Sequence, residues 1–262
     1  MATRTEYPHG DFCWTDLATT DAAAAKKFYA GLFGWQYTDM PAGPDMTYTI
    51  CNLGGQAVAG LYAMNKEMRS RGVPPHWLPH VNVLNVDETA KRATKNGAKL
   101  IREPFDAMDA GRLSILHDPT GAVVALWQAK KHIGAQVINE PGTMCWNELS
   151  TTDVEAAGNF YRATFGWTTS PMDMGGGRTY TIFKAGDVQV GGMMALGPQM
   201  KGVPPHWLTY FAVTDCDGTA KKVTEHGGHV LVPPTDVPNV GRFGAAQDGQ
   251  HAAFAFIKLQ SA

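Results

Sequence analysis

The stretch GVPPHWL, from Gly72 to Leu78, returns letter for letter from Gly202 to Leu208. The sequence on both sides of it is repeated as well, with an offset of 132 residues before the stretch and 130 residues from it onward. A period of this length predicts two duplicated domains, because solenoid repeats run to roughly 20–50 residues. The matched pairs are CWTDLATTD (13–21) with CWNELSTTD (145–153), FYAGLFGW (28–35) with FYRATFGW (160–167), and AGRLSILHDPTGAVVALWQ (110–128) with VGRFGAAQDGQHAAFAFIK (240–258).

The composition is that of a globular protein, with 44% hydrophobic and 18% charged residues in a chain of 262. A formal net charge of −2 and the lack of a lysine- or arginine-rich run disfavour nucleic acid and anionic membranes as partners. The N-terminal sequence lacks the apolar segment of a signal peptide, and no apolar run reaches transmembrane length, so a cytoplasmic location is predicted. Four cysteines without CxxC spacing are expected to be reduced and to form no zinc site.

Each copy of the repeat has the pattern of a strand, a helix and three strands, twice over. Asp21 is predicted to cap the first helix and Gly34 to end it. The second unit starts with the strand WLPHVNVL, after which Asp87 is predicted to cap the helix ETAKRATKN. The buried face of the first helix, at spacing i, i+3, i+4 and i+7, consists of Ala25, Phe28, Tyr29 and Leu32. The predicted divisions are a first domain at 10–128, a linker at 129–142 and a second domain at 143–259.

Three phrases in this order resemble a known superfamily: D-x(6)-FY-x(3)-[LF]-GW, the GVPPHW joint, and the ending GR-x(5)-DPTGAVVALWQ. The sequence is similar to the vicinal oxygen chelate superfamily, which contains glyoxalase I, bleomycin-resistance proteins and extradiol dioxygenases. Over about residues 10–259, the resemblance implies an α+β fold of tandem glyoxalase-like domains. In each domain, two βαβββ units would form a cupped half-barrel of mixed sheet. This fold hosts many chemistries, so the resemblance alone does not fix an activity.

The resemblance also implies where a metal would bind. Metal-dependent members place one ligand on the first strand, a second on the first strand of the second unit, and a glutamate on the last strand. None of the residues at the matched positions has a side chain that ligates a metal. No metal cofactor is therefore expected, and a divalent metal bound elsewhere is the alternative. The matched positions are Trp14, Leu78 and Ala125 in the first domain, and Trp146, Leu208 and Ala255 in the second.

Polar residues beside these apolar positions support a competing hypothesis. Strand alternation places Asp16, His80 and Asn82 on the face that would hold the metal. Asp16 and His80 are the candidate catalytic pair for acid–base chemistry, and with His117 they would form a relocated site of two histidines and one carboxylate. The alternative is that each is held by hydrogen bonds to its neighbours. The corresponding residues of the second domain, a poorer metal set, are Glu148, Tyr210 and Gln247.

The rest of each expected cup is mostly apolar or aromatic. Such a lining suits a planar or partly apolar small molecule, although the same side chains could simply fill the cup as core. The candidate ligand-binding residues are Trp14, Tyr48, Leu78, Asn82 and Trp127 in the first domain, and Trp146, Glu148, Tyr180 and Tyr210 in the second.

Three classes of function remain open. The first is a binding protein for a small organic molecule that lacks the usual family metal. The second is an enzyme, such as a glyoxalase-like lyase or isomerase, a dioxygenase or a hydroxylase, that uses relocated ligands or acid–base residues. The third is a scaffold with filled cups, and exposed strand edges make a homodimer a further alternative.

The repeated stretch itself is interpreted as a structural joint. Its two prolines favour an extended backbone before a strand. His76 and His206 are expected to cap the joint by hydrogen bonds, while Trp77 and Trp207 pack beneath it. The alternative is that the two histidines contact a substrate.

Overall fold

The computed structural model describes residues 3–43 and 46–260 and contains two eight-stranded sheets of the same topology. Since two βαβββ units build each sheet, the α+β architecture expected from the repeat is confirmed. The elements of the first half are β1 (Phe12–Thr19), α1 (Ala22–Phe33), β2 (Gln36–Gly43), β3 (Met46–Leu53), β4 (Gln56–Ala63), α2 (Lys66–Ser70), β5 (His76–Asn82), α3 (Val86–Lys95), β6 (Lys99–Ala107), β7 (Gly111–His117) and β8 (Val123–Ala129).

The second half repeats this order. It has a short 3-10 turn at Pro198–Met200 where the first half has α2. Its elements are β9 (Met144–Thr151), α4 (Val154–Phe165), β10 (Thr168–Asp173), β11 (Thr179–Ala185), β12 (Val188–Ala195), β13 (His206–Ala212), α5 (Cys216–Glu225), β14 (His229–Val237), β15 (Gly241–Gln247) and β16 (Ala253–Leu259).

The sheets are mixed, and the first strand of each unit lies near the centre. The strand order of the first sheet is β2-β3-β4-β1-β5-β8-β7-β6, with β1 parallel to β4 and antiparallel to β5. The second sheet has the order β10-β11-β12-β9-β13-β16-β15-β14. Thus β1 and β5 are neighbours, as are β9 and β13, and side chains from both units of a half meet on one sheet face.

The first helix forms where the sequence predicts it. The side chain of Asp21 accepts a hydrogen bond from the Ala24 amide at 3.0 Å, and Gly34 takes a left-handed conformation at the C-terminal end. The four residues predicted for its buried face are buried. The prediction for α3 is wrong in one residue: Asn85, and not Asp87, accepts from the Glu88 amide and caps the helix. The Asp87 carboxylate instead binds the Arg112 guanidinium with two hydrogen bonds.

One apolar core joins the two halves. Helix α1 packs against α5 and α3 against α4, so each half covers the other. Crossed hydrogen bonds run through this core: Trp77 Nε1 donates to the Tyr29 hydroxyl at 3.0 Å, and that hydroxyl donates to Asp248 Oδ2 of the other half at 3.1 Å. The second chain of bonds runs the opposite way, from Trp207 to Tyr161 to Asp118, at 2.8 and 2.9 Å.

The repeated GVPPHWL stretch is confirmed as a joint. The imidazole of His76 hydrogen-bonds the Pro74 carbonyl at 2.8 Å, and that of His206 the Pro204 carbonyl at 2.9 Å. Trp77 is 4% exposed and lies in the shared core. The histidines of this stretch therefore hold the joint locally, and Trp77 and Trp207 contribute to the core between the halves.

The four cysteines are free thiols. No helix in residues 3–43 and 46–260 is long and apolar enough to cross a membrane.

Candidate ligand-binding cups

The two faces of each sheet have different roles. On β1, Thr15 and Leu17 point to the helix-bearing face, where Leu17 joins the shared core. The opposite face carries Trp14 and Asp16, and we call this face, with the side chains of β3, β5 and β8 that share it, the first cup. The equivalent face of the second sheet is the second cup.

Asp16 is the centre of a hydrogen-bonded cluster in the first cup. Its Oδ1 atom accepts from Trp14 Nε1 at 2.8 Å and from the hydroxyl of Tyr48. Trp14 Nε1 also lies 2.8 Å from the Tyr48 oxygen. Burial, with the negative charge of Asp16, raises the pKa of Tyr48 well above its ordinary value, so this phenol stays protonated and donates. Gly60 lies opposite Asp16 on β4, where a Cβ atom would overlap both oxygens of the bond.

His80 lies at the other carboxylate oxygen. Its Nε2 atom is 3.3 Å from Asp16 Oδ2, and its Nδ1 atom is 3.1 Å from the Leu78 carbonyl oxygen. Because a carbonyl only accepts, Nδ1 carries the hydrogen, and Nε2 of the neutral ring is an acceptor. Burial lowers the pKa of His80, although the charge of Asp16 and the Leu78 carbonyl act in the opposite direction. Two acceptor atoms thus face each other in a site where His80 is 2% exposed.

The second cup has the same pair of a tryptophan and a tyrosine as the first, but a different residue contacts the acid. Trp146 Nε1 donates to the Tyr180 hydroxyl at 2.9 Å, as its counterpart does in the first cup. The acid is Glu148, which accepts from the hydroxyl of Tyr210 at 3.1 Å, and Tyr210 occupies the position of His80. Burial raises the pKa of Glu148, while its bonds to Tyr180 and Tyr210 act in the opposite direction. Trp146, Glu148 and Tyr180 are only half-buried.

Two candidates from the sequence lie apart from these clusters. The Asn82 amide donates to the Tyr7 carbonyl at 2.6 Å and thereby holds the N-terminal segment. The His117 ring hydrogen-bonds the Gly121 carbonyl at 2.9 Å, two strands away from His80 across β8. The structure therefore brings Asp16 and His80 together and does not add His117 to them. The remaining candidates of the first cup, Leu78 and Trp127, are 3% and 6% exposed.

The strand register places three residues of the first cup in one row. Trp14 pairs with His80 across β1 and β5, and His80 pairs with Ala125 across β5 and β8. Leu78 lies one pleat away, opposite Asp16. The equivalent row of the second cup consists of Trp146, Tyr210 and Ala255.

These rows do not fit a divalent metal held in the family manner. In the first row only the imidazole of His80 is a ligand type, and in the second row none of the three side chains is a usual one. The neighbouring Asp16 carboxylate is already bonded to Trp14 and Tyr48. Within the part of the chain that the structure describes, no three His, Cys, Asp or Glu side chains come together to hold a metal ion.

Sequence reasoning missed one polar group at the first cup. His132 comes from the segment that links the sheets, and its ring packs edge-to-face on Trp14 with the ring centroids 4.5 Å apart. No periodic pattern marks this residue, because its position depends on the path of the linker. Gly60 and its counterpart Gly192 were missed as well, although their register opposite the acids could have identified them.

This fold and these paired sites define the class of the protein. The sequence model of the Glyoxalase/Bleomycin resistance protein/Dioxygenase superfamily matches residues 12–126 and 148–256, so the chain belongs to this superfamily. The resemblance read from the sequence is therefore confirmed.

Relatives and solved structures are similar over almost the whole chain. A Mycobacterium tuberculosis protein described as "Putative glyoxylase CFP32" is 46% identical over 98% of this chain and 98% of its own length. The anthracycline biosynthesis protein DnrV of Streptomyces peucetius is 34% identical, covering 98% of this chain and 96% of its own. The Mn(II)-bound glyoxalase from Novosphingobium aromaticivorans superposes with a TM-score of 0.65 at 14% identity, covering 96% of this chain and 83% of that one.

Proposed function

We propose that the protein binds a small, partly apolar organic molecule in one or both cups without a metal of the usual family type. The observation that carries this proposal is the hydrogen-bonded cluster of a tryptophan, a tyrosine and an acid on each cup face. In each cup this cluster lies beside a row in which two of the three residues are apolar.

The chemistry of the first cup supports a ligand with an apolar body and one or two polar groups. Trp14 and Trp127 provide aromatic surface, and Leu78 adds aliphatic surface. Aromatic side chains bind planar apolar rings through large contact areas. Two acceptor atoms, on Asp16 and His80, would fix the orientation of such a ligand through a hydroxyl donor.

The names of two relatives indicate the first molecule to test. Both are described as anthracycline biosynthesis proteins, and anthracyclines are planar, polycyclic and hydroxylated. We therefore choose an anthracycline aglycone as the probe. The proposed class of ligand is a planar aromatic molecule that carries hydroxyl groups.

Equilibrium dialysis of the aglycone against the purified protein tests the proposal. Saturable binding is expected, with an affinity at least tenfold weaker in Trp14→Phe if the first cup is used, or in Trp146→Phe if the second is used. The phenylalanine keeps apolar contact and removes the N–H on which each cluster depends. If the wild-type protein does not bind the aglycone saturably, or if neither variant weakens binding, the proposal is wrong.

Acid–base catalysis is the second candidate, favoured by the position of His80. Its Nε2 is an acceptor atom 3.3 Å from the Asp16 carboxylate, so the neutral imidazole has a lone pair that could act as a general base. Because relatives are named as glyoxylases, the hemithioacetal of methylglyoxal and a thiol is the substrate to assay. Turnover that survives a strong chelator and is lost in His80→Phe would support this candidate. Turnover that depends on added metal would favour relocated ligands, and no turnover would leave binding as the function.

A further inference from the structure

Two histidines lie side by side at the outer edge of the second sheet, three strands away from β13. His229 begins β14, the edge strand, and His251 lies in the turn between β15 and β16. Both residues are exposed. Their ring planes are parallel to within 5°, and the ring centroids are 6.0 Å apart. The two imidazoles are therefore accessible to a solute that both of them can bind at once.

The separation of the two rings is close to that of two ligands on one metal ion. A Zn–N bond of about 2.1 Å places a ring centroid about 3.2 Å from the ion, so two imidazoles on one tetrahedral ion have centroids about 5 Å apart. The observed 6.0 Å exceeds this value by about 1 Å. Exposed side chains change rotamer within nanoseconds, so rotation about χ1 and χ2 can close this gap.

The backbone of His251 gives a second and independent indication that an imidazole is needed at this position. Its φ is +73°, in the left-handed region, where the Cβ atom of an L-residue comes close to the following carbonyl oxygen. The matching residue of the first half is Gly121, with a φ of +107°, which avoids this strain. The residue that matches His229 is Lys99, whose ammonium group has no acceptor atom and repels a cation. The second half thus has two imidazoles where the first half has neither.

The acid in the turn of His251 is held by the protein itself. Asp248 Oδ1 accepts hydrogen bonds from the Gln250 and Ala252 amides, each at 2.9 Å. Its Oδ2 atom accepts from the Tyr29 hydroxyl at 3.1 Å. Since both oxygens of this buried carboxylate are engaged, the two imidazoles are the side-chain ligands that the turn offers. Nitrogen ligands suit zinc, copper and nickel, whereas magnesium and calcium require oxygen ligands.

We propose that His229 and His251 form a surface site for one divalent transition-metal ion, and that Cu²⁺, Ni²⁺ and Zn²⁺ are the ions that fit it. One nitrogen of each imidazole binds the ion, and water completes its coordination. The affinity rises from Mn²⁺ through Co²⁺ and Ni²⁺ to Cu²⁺, as it does for nitrogen ligands in general. This site lies apart from the acid clusters of the cups, so the proposal is independent of the proposed function.

Isothermal titration calorimetry with NiCl₂, on chelator-treated protein without a histidine tag, tests the proposal. The first half of the chain supplies the substitutions, because His251→Gly and His229→Lys each install the residue found at the matching position. His251→Gly also removes the strain of the left-handed conformation, so this variant is expected to fold. His226→Asn is the matched control, since it replaces another exposed histidine of the second half by the residue that matches it, Asn96.

The wild-type protein is expected to bind one Ni²⁺ ion per chain. The affinity should be at least about tenfold weaker in His251→Gly and in His229→Lys, because even the loss of a residue that only supports a ligand weakens metal binding about 10–100-fold. His226→Asn should bind as the wild type does, and an excess of Mg²⁺ should not compete. The proposal is overturned by a wild-type protein without saturable Ni²⁺ binding, by binding that survives both substitutions of the pair, by equal weakening in His226→Asn, or by competition from Mg²⁺.

Discussion

The two cups are built on one scaffold and differ in the group that faces the acid. In both, a tryptophan N–H and a tyrosine hydroxyl form the same bond, and a glycine on the neighbouring strand leaves room for it. The first cup then sets an imidazole against Asp16, whereas the second sets the phenol of Tyr210 against Glu148. A neutral imidazole can accept a proton, whereas a phenol that stays protonated can only donate one, so the two cups present different chemistry to a group placed beside the acid.

The cups also differ in how they are covered. The linker lies over the edge of the first cup, where Trp14 is 3% exposed, while Trp146 and Glu148 of the second cup are half-buried. Duplication has therefore produced one enclosed site and one more open site from the same strands. The two sites need not bind the same molecule or open to the same extent.

The largest expected effect is a loss of stability when the acid of a cup is replaced, and this loss should differ between the two cups. Asp16→Ala should lower the free energy of unfolding by about 3 kcal/mol, because it leaves the donors of Trp14 and Tyr48 buried beside an empty position. Glu148→Ala should cost only about 1 kcal/mol, since water can reach the half-buried second cup. Urea denaturation followed by circular dichroism measures both. Equal losses would show that the difference in enclosure has no energetic consequence.

The two sheets and the face that carries the acids were predictable from the sequence, whereas the strand register and the path of the linker were not. Repeated phrases gave the two sheets, and strand alternation placed Asp16 and His80 on one face. The register that sets His80 opposite Trp14 is a pairing of β1 with β5, strands distant in sequence, which no local pattern reveals. Likewise, Asn85 caps α3, and Asp87 instead binds Arg112, which is distant in sequence. The path of His132 depends on tertiary bonds of the linker.

The second expected effect is a loss of stability when the linker over the first cup is disturbed. Gly134→Ala should lower the free energy of unfolding by about 2–4 kcal/mol. Gly134 has a φ of +112°, at which alanine is strained, and the added Cβ would collide with the Cys13 carbonyl. Gly186→Ala is the matched control, with a φ of +60° and open space around its Cβ, and should cost about 1 kcal/mol. Faster hydrogen exchange of the Ala135 amide in Gly134→Ala would locate the loss at the linker. Equal losses of stability and equal hydrogen exchange in the two variants would mean that the linker is not held tightly against β1.

A smaller effect is the acid sensitivity of the first cup. Because burial lowers the folded pKa of His80 from 6.5, the unfolded chain binds the proton first as the pH falls. The contribution of His80 is thus present above about pH 6.5 and is lost as the pH falls through its lowered folded pKa. The stability difference between wild type and His80→Phe, measured by urea denaturation from pH 8 to 5, should shrink toward acid. A difference that grows toward acid would show that His80 is charged in the folded protein.

The smallest effect has the opposite sign and belongs to the second cup. Burial raises the folded pKa of Glu148 above 4.5, so the folded protein holds this proton more tightly than the unfolded chain. The contribution is present below about pH 4.5 and is lost as the pH rises through the raised folded pKa. Glu148→Gln should therefore gain stability relative to wild type between pH 4 and 7. A constant difference over this range would show that the carboxyl group titrates normally.

The crossed bonds from tryptophan to tyrosine to aspartate carry a consequence for the ancestry of the chain. Each half supplies both ends of the contact, a tyrosine that reaches out and an aspartate that receives. A contact of this kind is isologous, and two identical copies of one half would close it just as well. The shared core thus has the form of an interface between two equivalent subunits, with both halves in one chain. Covalent joining keeps the halves at equal stoichiometry, and His80 and Tyr210 can differ without breaking the pair.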